Sequence, residues 1–190
     1  MAVKKSRTVG DNATVLNPGN VPVVRAGGWH TLPMFGAAGT LNLTNNRLYA
    51  LPLWPGRRCV MVGVAINVTL ALLGGAVRIG VYRSGNGLPG PLVQDFGTVS
   101  TSVGGIQQLT GFHVTLEPRL YFLGVGRQLG GLTLGVGCRD TWDPLVSETV
   151  PTLAGNLNCY YVDGIAGALP ELFGAVAGTI QGPSASVQLT

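Results

Sequence analysis

At 190 residues, 46% hydrophobic and only 11% charged, the chain has material for one domain with a sizeable core and barely enough for two. Its 30 glycines and 12 prolines, with so little charge, exclude a protein of long amphipathic helices. The net charge of +4 is uneven: Lys4, Lys5, Arg7 and Arg25 minus Asp11 give residues 1–28 a charge of +3, and the remainder only +1. So neutral a body excludes a specific nucleic-acid-binding surface, which needs a broad basic face.

Residues 1–28 hold Asn12, Asn17, Pro18, Gly19, Asn20 and Pro22 among few large apolar groups. Such a segment cannot bury enough surface to fold alone. It reads as an extended N-terminal attachment arm, with Lys4, Lys5, Arg7 and Arg25 as its assembly contacts, ordered by lying on another chain. Residues 29–190 read as the folded domain. From Trp29, the segment Arg47 to Trp54 is the first expected strand, ending in a turn at Pro55-Gly56.

The stretch Cys59 to Tyr82 organises the rest. Val60, Val62, Val64, Ile66, Val68 and Leu70 occupy every second position, which in a strand puts all six on one face. After Gly74-Gly75 the alternation resumes in Val77, Ile79 and Val81, predicting a second strand joined to the first by a Gly-Gly turn. A membrane-spanning helix is the rival reading, because residues 59–77 carry no charge. The density of β-branched residues, Gly74-Gly75 and the early stop at Arg78 favour strands and no membrane span. No signal-peptide pattern precedes the run.

Gly85, Gly87 and Gly90 match the dinucleotide-binding spacing, but Pro89 and Pro91 occupy the positions where its helix would begin. A tight turn with positive φ is expected instead. Strands follow at Leu92 to Val99, at Gly105 to Leu109, and at Phe112 to Leu116 with half-buried alternation. Arg119 to Gly126 is apolar on both parities, as in a strand covered on both faces, and Leu132 to Gly137 is another. An irregular polar loop holds Arg139, Asp140, Trp142 and Asp143 before Tyr160-Tyr161. Asp163 to Phe173 reads as a loop or a single helical turn, and Ser184 to Leu189 closes the chain as a strand. The fold class is therefore all-β: an antiparallel β-sandwich, jelly-roll-like, of about eight to ten strands.

Chemistry is sparse. His30 and His113 are the only histidines and suit structural roles. Cys59, Cys138 and Cys159 lack the paired spacing of a zinc site, so no metal or cofactor is expected. Buried free thiols are the favoured state, with a Cys138–Cys159 bridge left open. No catalytic motif occurs, and the chain is expected not to be an enzyme. A candidate ligand site is Asp140, Trp142, Asp143 and Tyr160, because an aromatic face and carboxylates suit a sugar's apolar face and hydroxyl edge; the alternative is a solvated loop with Trp142 packed beneath it. Glycosylation sequons start at Asn12, Asn42 and Asn67, the last inside an expected strand.

Four stretches resemble the β-sandwich domains of tailed-bacteriophage virion proteins of the minor tail, tail-fibre or receptor-binding type: Arg47 to Trp54; Val77 to Tyr82 running into Gly87 to Val93; Leu116 to Leu123; and Gly164 to Pro170 with Phe173 after it. The resemblance implies a non-enzymatic structural protein of the virion, assembled in the host cytoplasm, typically a homotrimer contacting other virion proteins and a host-surface glycan. No Gly-X-Y repeat or coiled-coil heptad is present, which argues against a long fibre shaft. The alternative is a capsid decoration or head-fibre protein anchored through its arm.

Overall fold

A computed structural model describes residues 27–32, 37–129, 134–140 and 158–190. Among the described residues there are twelve strands and no helix. They are β1 (Gly28–Leu32), β2 (Ala37–Asn42), β3 (Arg47–Leu53), β4 (Cys59–Leu70), β5 (Ala76–Gly85), β6 (Leu88–Ser100), β7 (Gly105–Leu116), β8 (Tyr121–Leu129), β9 (Gly135–Asp140), β10 (Cys159–Asp163), β11 (Gly178–Ile180) and β12 (Ala185–Leu189). All pairings between them are antiparallel. No helix of the described residues is long and apolar enough to cross a membrane.

Two six-stranded sheets pack face to face as a β-sandwich. The back sheet runs β11-β10-β3-β8-β5-β6. The front sheet is built around β4. Ile66 pairs with both Gln107 and Ala185, and Val68 with both Gly105 and Val136, so β7 lies along one flank of β4 while β12 and β9 follow one another along the other. Beyond those two, β1 pairs with β12 and β2 with β9. Strands β1 and β2 precede the segment expected to be first, and β10 and β11 arise where the sequence reads as irregular.

Between the sheets lies the main core, in which Val64, Ile66, Val68 and Val187 from the front meet Leu51, Val77, Ile79, Leu123 and Val125 from the back. The alternation in β4 is real but breaks once. Gly63 pairs with Gln188 and Met61 with Leu189, leaving Val62 as an extra residue, and a bulge of this kind exchanges the two faces. Cys59 and Met61 therefore point into the core before it and Val64, Ile66 and Val68 after it. The expectation that all six alternate aliphatics share one face is corrected accordingly: Val60 and Val62 are only half-buried, and Leu70 is 50% exposed.

The Gly74-Gly75 connection is also corrected. It does not close a hairpin: β4 belongs to the front sheet and β5 to the back, so the chain crosses between layers there. The next connection does close a hairpin. Ser84 pairs with Pro89 and Gly85 with Leu88, and Asn86 (φ 55°) and Gly87 (φ 83°) both take the left-handed conformation of a type I′ turn.

The back sheet is buried on its outer face as well. Residues 164–177 lie over it, and Leu169 and Phe173 pack with Leu48, Ala50, Tyr82, Phe122 and Tyr160 as a second core. Burial on both faces accounts for the run of apolar residues on both parities in β8. The cover follows an extended loop path, not a helical turn. It is tied down by Leu92 N donating to Glu171 O (2.8 Å), Phe173 N to Gly90 O (3.1 Å) and the Tyr82 hydroxyl to Pro170 O (3.2 Å).

Candidate functional site

Of the residues expected to bind a ligand, the two that are described lie in different sheets. Asp140 ends β9, opposite Ala37 in the front sheet. Tyr160 is in β10 of the back sheet, opposite Ala50, and is 1% exposed, its ring edge-on to Phe122 at 5.7 Å in the second core. A ring enclosed in this way has no face to offer a sugar, so Tyr160 is a packing residue. Trp142 and Asp143 lie outside the described residues, as do Lys4, Lys5, Arg7 and Arg25 of the arm. Among the described residues, no cluster of three His, Cys, Asp or Glu side chains is arranged to hold a metal. All three cysteines are buried and form no disulfide, with Cys138 in the front sheet and Cys159 in the back. Burial raises the thiol pKa of Cys59 and of Cys159.

The distribution of charge is more informative. Apart from Arg139 and Asp140 at the end of β9, the six front strands contain no Asp, Glu, Lys or Arg, whereas the back strands hold Arg47, Arg78, Arg83, Asp95, Arg127 and Asp163. On the front sheet the residues facing away from the core fall into cross-strand rows. One row is Trp29, Gln188, Gly63 and Thr110, and the next is Thr31, Ser186, Ala65 and Gln108. Asn67, opposite Ile106, continues the pattern.

Trp29 is 41% exposed and lies across Gly63. A Cβ at Gly63 would stand 2.8 Å from Cη2 of the indole and 3.2 Å from Gln188 Oε1, so only glycine lets the ring rest on the sheet. Gln188 Nε2 donates to Gly27 O at 3.4 Å, and the Thr31 and Ser186 hydroxyls are 3.0 Å apart. The result is a flat face of hydroxyls and amides with an indole at one side. Such groups donate to and accept from neutral hydroxyls, and an indole stacks on an apolar ring face. Two period-two signals mark this face in the sequence, Trp29-x-Thr31 and Ser186-x-Gln188. They go unread alone because only the fold sets these distant segments on adjacent strands.

The charged groups of the back sheet perform structural work. Arg47 Nε and Nη2 grip Asp163 Oδ1 and Oδ2 at 2.7 and 3.0 Å, and the guanidinium sits 4.1 Å over the Tyr161 ring. The hydrogen bond from Arg47 lowers the Asp163 pKa, and the same bond raises that of Arg47. Asp95 accepts from Arg78 Nε (2.8 Å), Gly97 N (2.8 Å) and Leu169 N (3.3 Å), fixing the cover to the sheet.

No protein-family model, no curated protein and no solved structure matches this chain.

Proposed function

We propose that the protein is a non-enzymatic structural component of a tailed-phage virion, of the minor tail or tail-fibre type, that attaches to the host surface by holding a neutral glycan on the front sheet. The observation that carries this reading is the outer face of that sheet, where β1, β12, β4 and β7 hold no Asp, Glu, Lys or Arg and Trp29 lies over Gly63. A neutral sugar matches it: hydroxyls meet Thr, Ser, Gln and Asn side chains without desolvating a charge, and one ring face lies on the indole.

The stretches that resemble phage virion domains support the same division of labour. Arg47 to Trp54, Val77 to Tyr82, Gly87 to Val93, most of Leu116 to Leu123, and Gly164 to Phe173 belong to the back sheet, its cover and their connections. The shared part is thus architectural, and the front sheet is free to differ in what it binds.

Trp29→Ala is expected to weaken adhesion of the purified protein to host cells or to a neutral-glycan array by about two- to tenfold per site, the worth of one aromatic stack. Unchanged binding would remove the assignment.

The second reading is a capsid decoration or head-fibre protein, favoured by the exit of the arm. Gly27 N donates to Leu189 O, and β1 pairs with β12 at the margin of the front sheet, so Gly27, the first described residue after the arm, stands at an edge of the body. On this reading, Lys4→Glu with Lys5→Glu and Arg7→Glu prevents incorporation into particles while glycan binding is unaffected. Normal incorporation of that variant would dismiss it.

A further inference from the structure

Edges of sheets expose unpaired backbone donors and acceptors, and proteins guard them with short strands, proline, charge, bulges or a covering loop. Among the described residues, four of the five lateral edge strands are guarded. β1, β2 and β11 have only 5, 6 and 3 residues. β6 is long, but Pro89 and Pro91 interrupt it, its ladder with β5 slips at three places, Asp95 occupies the Gly97 amide, and the cover bonds to Gly90 and Leu92.

Among the described residues β7 has the fewest of these devices: no proline, no charge and no covering loop, and one slip in its ladder with β4, between Thr110 and Val114, which leaves residues 105–110 regular. It runs for 12 residues without proline, Asp, Glu, Lys or Arg, and among the described residues it pairs with β4 alone. The Phe96–Phe112 stack, with ring centroids 4.0 Å apart, braces it against β6, so the edge is held firm. Ile106, on this strand, is 75% exposed, and Val103 stands exposed in the connection leading to it.

We infer that β7 joins two copies of this chain, edge to edge and antiparallel about a two-fold axis, merging their front sheets into one. A second copy is the occupant because the strand is compatible with itself. About a two-fold axis the central position meets its own symmetry mate and its near neighbours meet each other's, so a strand bearing like charge near its centre would set like charges against each other. β7 presents glutamine, threonine and isoleucine there instead. A register centred on Gln108 keeps both outer faces on one side, setting Gln108 against its own copy and Ile106 against Thr110. Pairing satisfies the open backbone groups and covers one flank of Ile106 with Thr110 of the second copy. It places two Trp29 faces side by side on a continuous surface, and it requires a two-fold assembly where the phage resemblance implies a trimer.

Sedimentation equilibrium of the full chain tests this. The native protein is expected at twice its monomer mass, and Ile106→Lys with Thr110→Lys, both at exposed positions, should raise the dimer dissociation constant at least tenfold with unchanged circular dichroism. Gln108→Cys treated with oxidised glutathione should give a covalent dimer, a readout that stands even if the lysine pair perturbs folding. A native monomer at all attainable concentrations, a trimer, or a dimer indifferent to the lysine pair and not crosslinked through position 108 would each overturn the inference. None of these outcomes bears on whether Trp29 binds a sugar, so the two readings fail separately.

Discussion

Single residues carry the most direct tests. Cys59 and Cys159 are buried, and burial disfavours their thiolates, the form that reacts. Cys138 is 3% exposed. A thiol reagent should therefore label none of the three in the folded protein and all of them in denaturant; prompt native labelling would show that a thiol is open to solvent. Gly63→Ala adds a methyl against the far end of a movable side chain, so stability should change by less than about 1 kcal/mol while the indole is lifted from the sheet. A shift in tryptophan emission together with lost glycan binding is the expected pair of results. The Arg47–Asp163 bond is half open to water at the carboxylate and contributes at most about 1 kcal/mol. Because the folded state lowers the Asp163 pKa, that contribution is complete above the ordinary carboxylate value of about 3.9 and is lost as pH falls through the lowered one. Asp163→Asn should therefore matter at neutral pH and make little difference in strong acid.

At the level of elements, one carboxylate adds to the bonds that fix the cover over the back sheet. Asp95→Ala removes the acceptor of three hydrogen bonds and leaves the half-buried Arg78 without this partner. A loss of about 2–4 kcal/mol in urea denaturation is expected, with proteolysis appearing first between residues 163 and 177. The individual elements were largely legible in the sequence, because a period of two in β4 and β5, double-faced apolarity in β8 and the Asn86-Gly87 turn are local signals. What was not legible depended on partners. The face exchange at Val62 exists only because Gln188 and Leu189 lie opposite it. The sheet change at Gly74-Gly75 looks like a hairpin until β5 is seen to pair with β6 and β8. Tyr160 resembled a surface aromatic because the residues that bury it, Phe122 and Phe173 among them, are distant in the chain. The Trp29 face was missed for the same reason, since its rows draw on residues 29, 31, 63, 65, 186 and 188.

At the level of the whole molecule, the two sheets divide the work. The back sheet is covered on both faces and holds most of the charge of the described strands, whereas the front sheet keeps one face in the core and carries Asp, Glu, Lys or Arg only at the end of β9. A mutation that unfolds the protein should therefore map to either core, and one that abolishes attachment without loss of stability should map to the outer face of the front sheet. An alanine scan reading melting temperature and adhesion together checks this; coincident losses throughout would show that no such division exists.

The place of β12 has a consequence for the order in which the molecule is made. The last strand of the sequence inserts between β1, near the beginning of the domain, and β4. A ribosome delivers the two outer members first and holds back the one that joins them, so β1 waits through the synthesis of some 150 residues for its neighbour. The nascent sandwich stays unzipped along that seam until β12 has been made, and a chain truncated before Ala185 would lack the strand that joins β1 to β4.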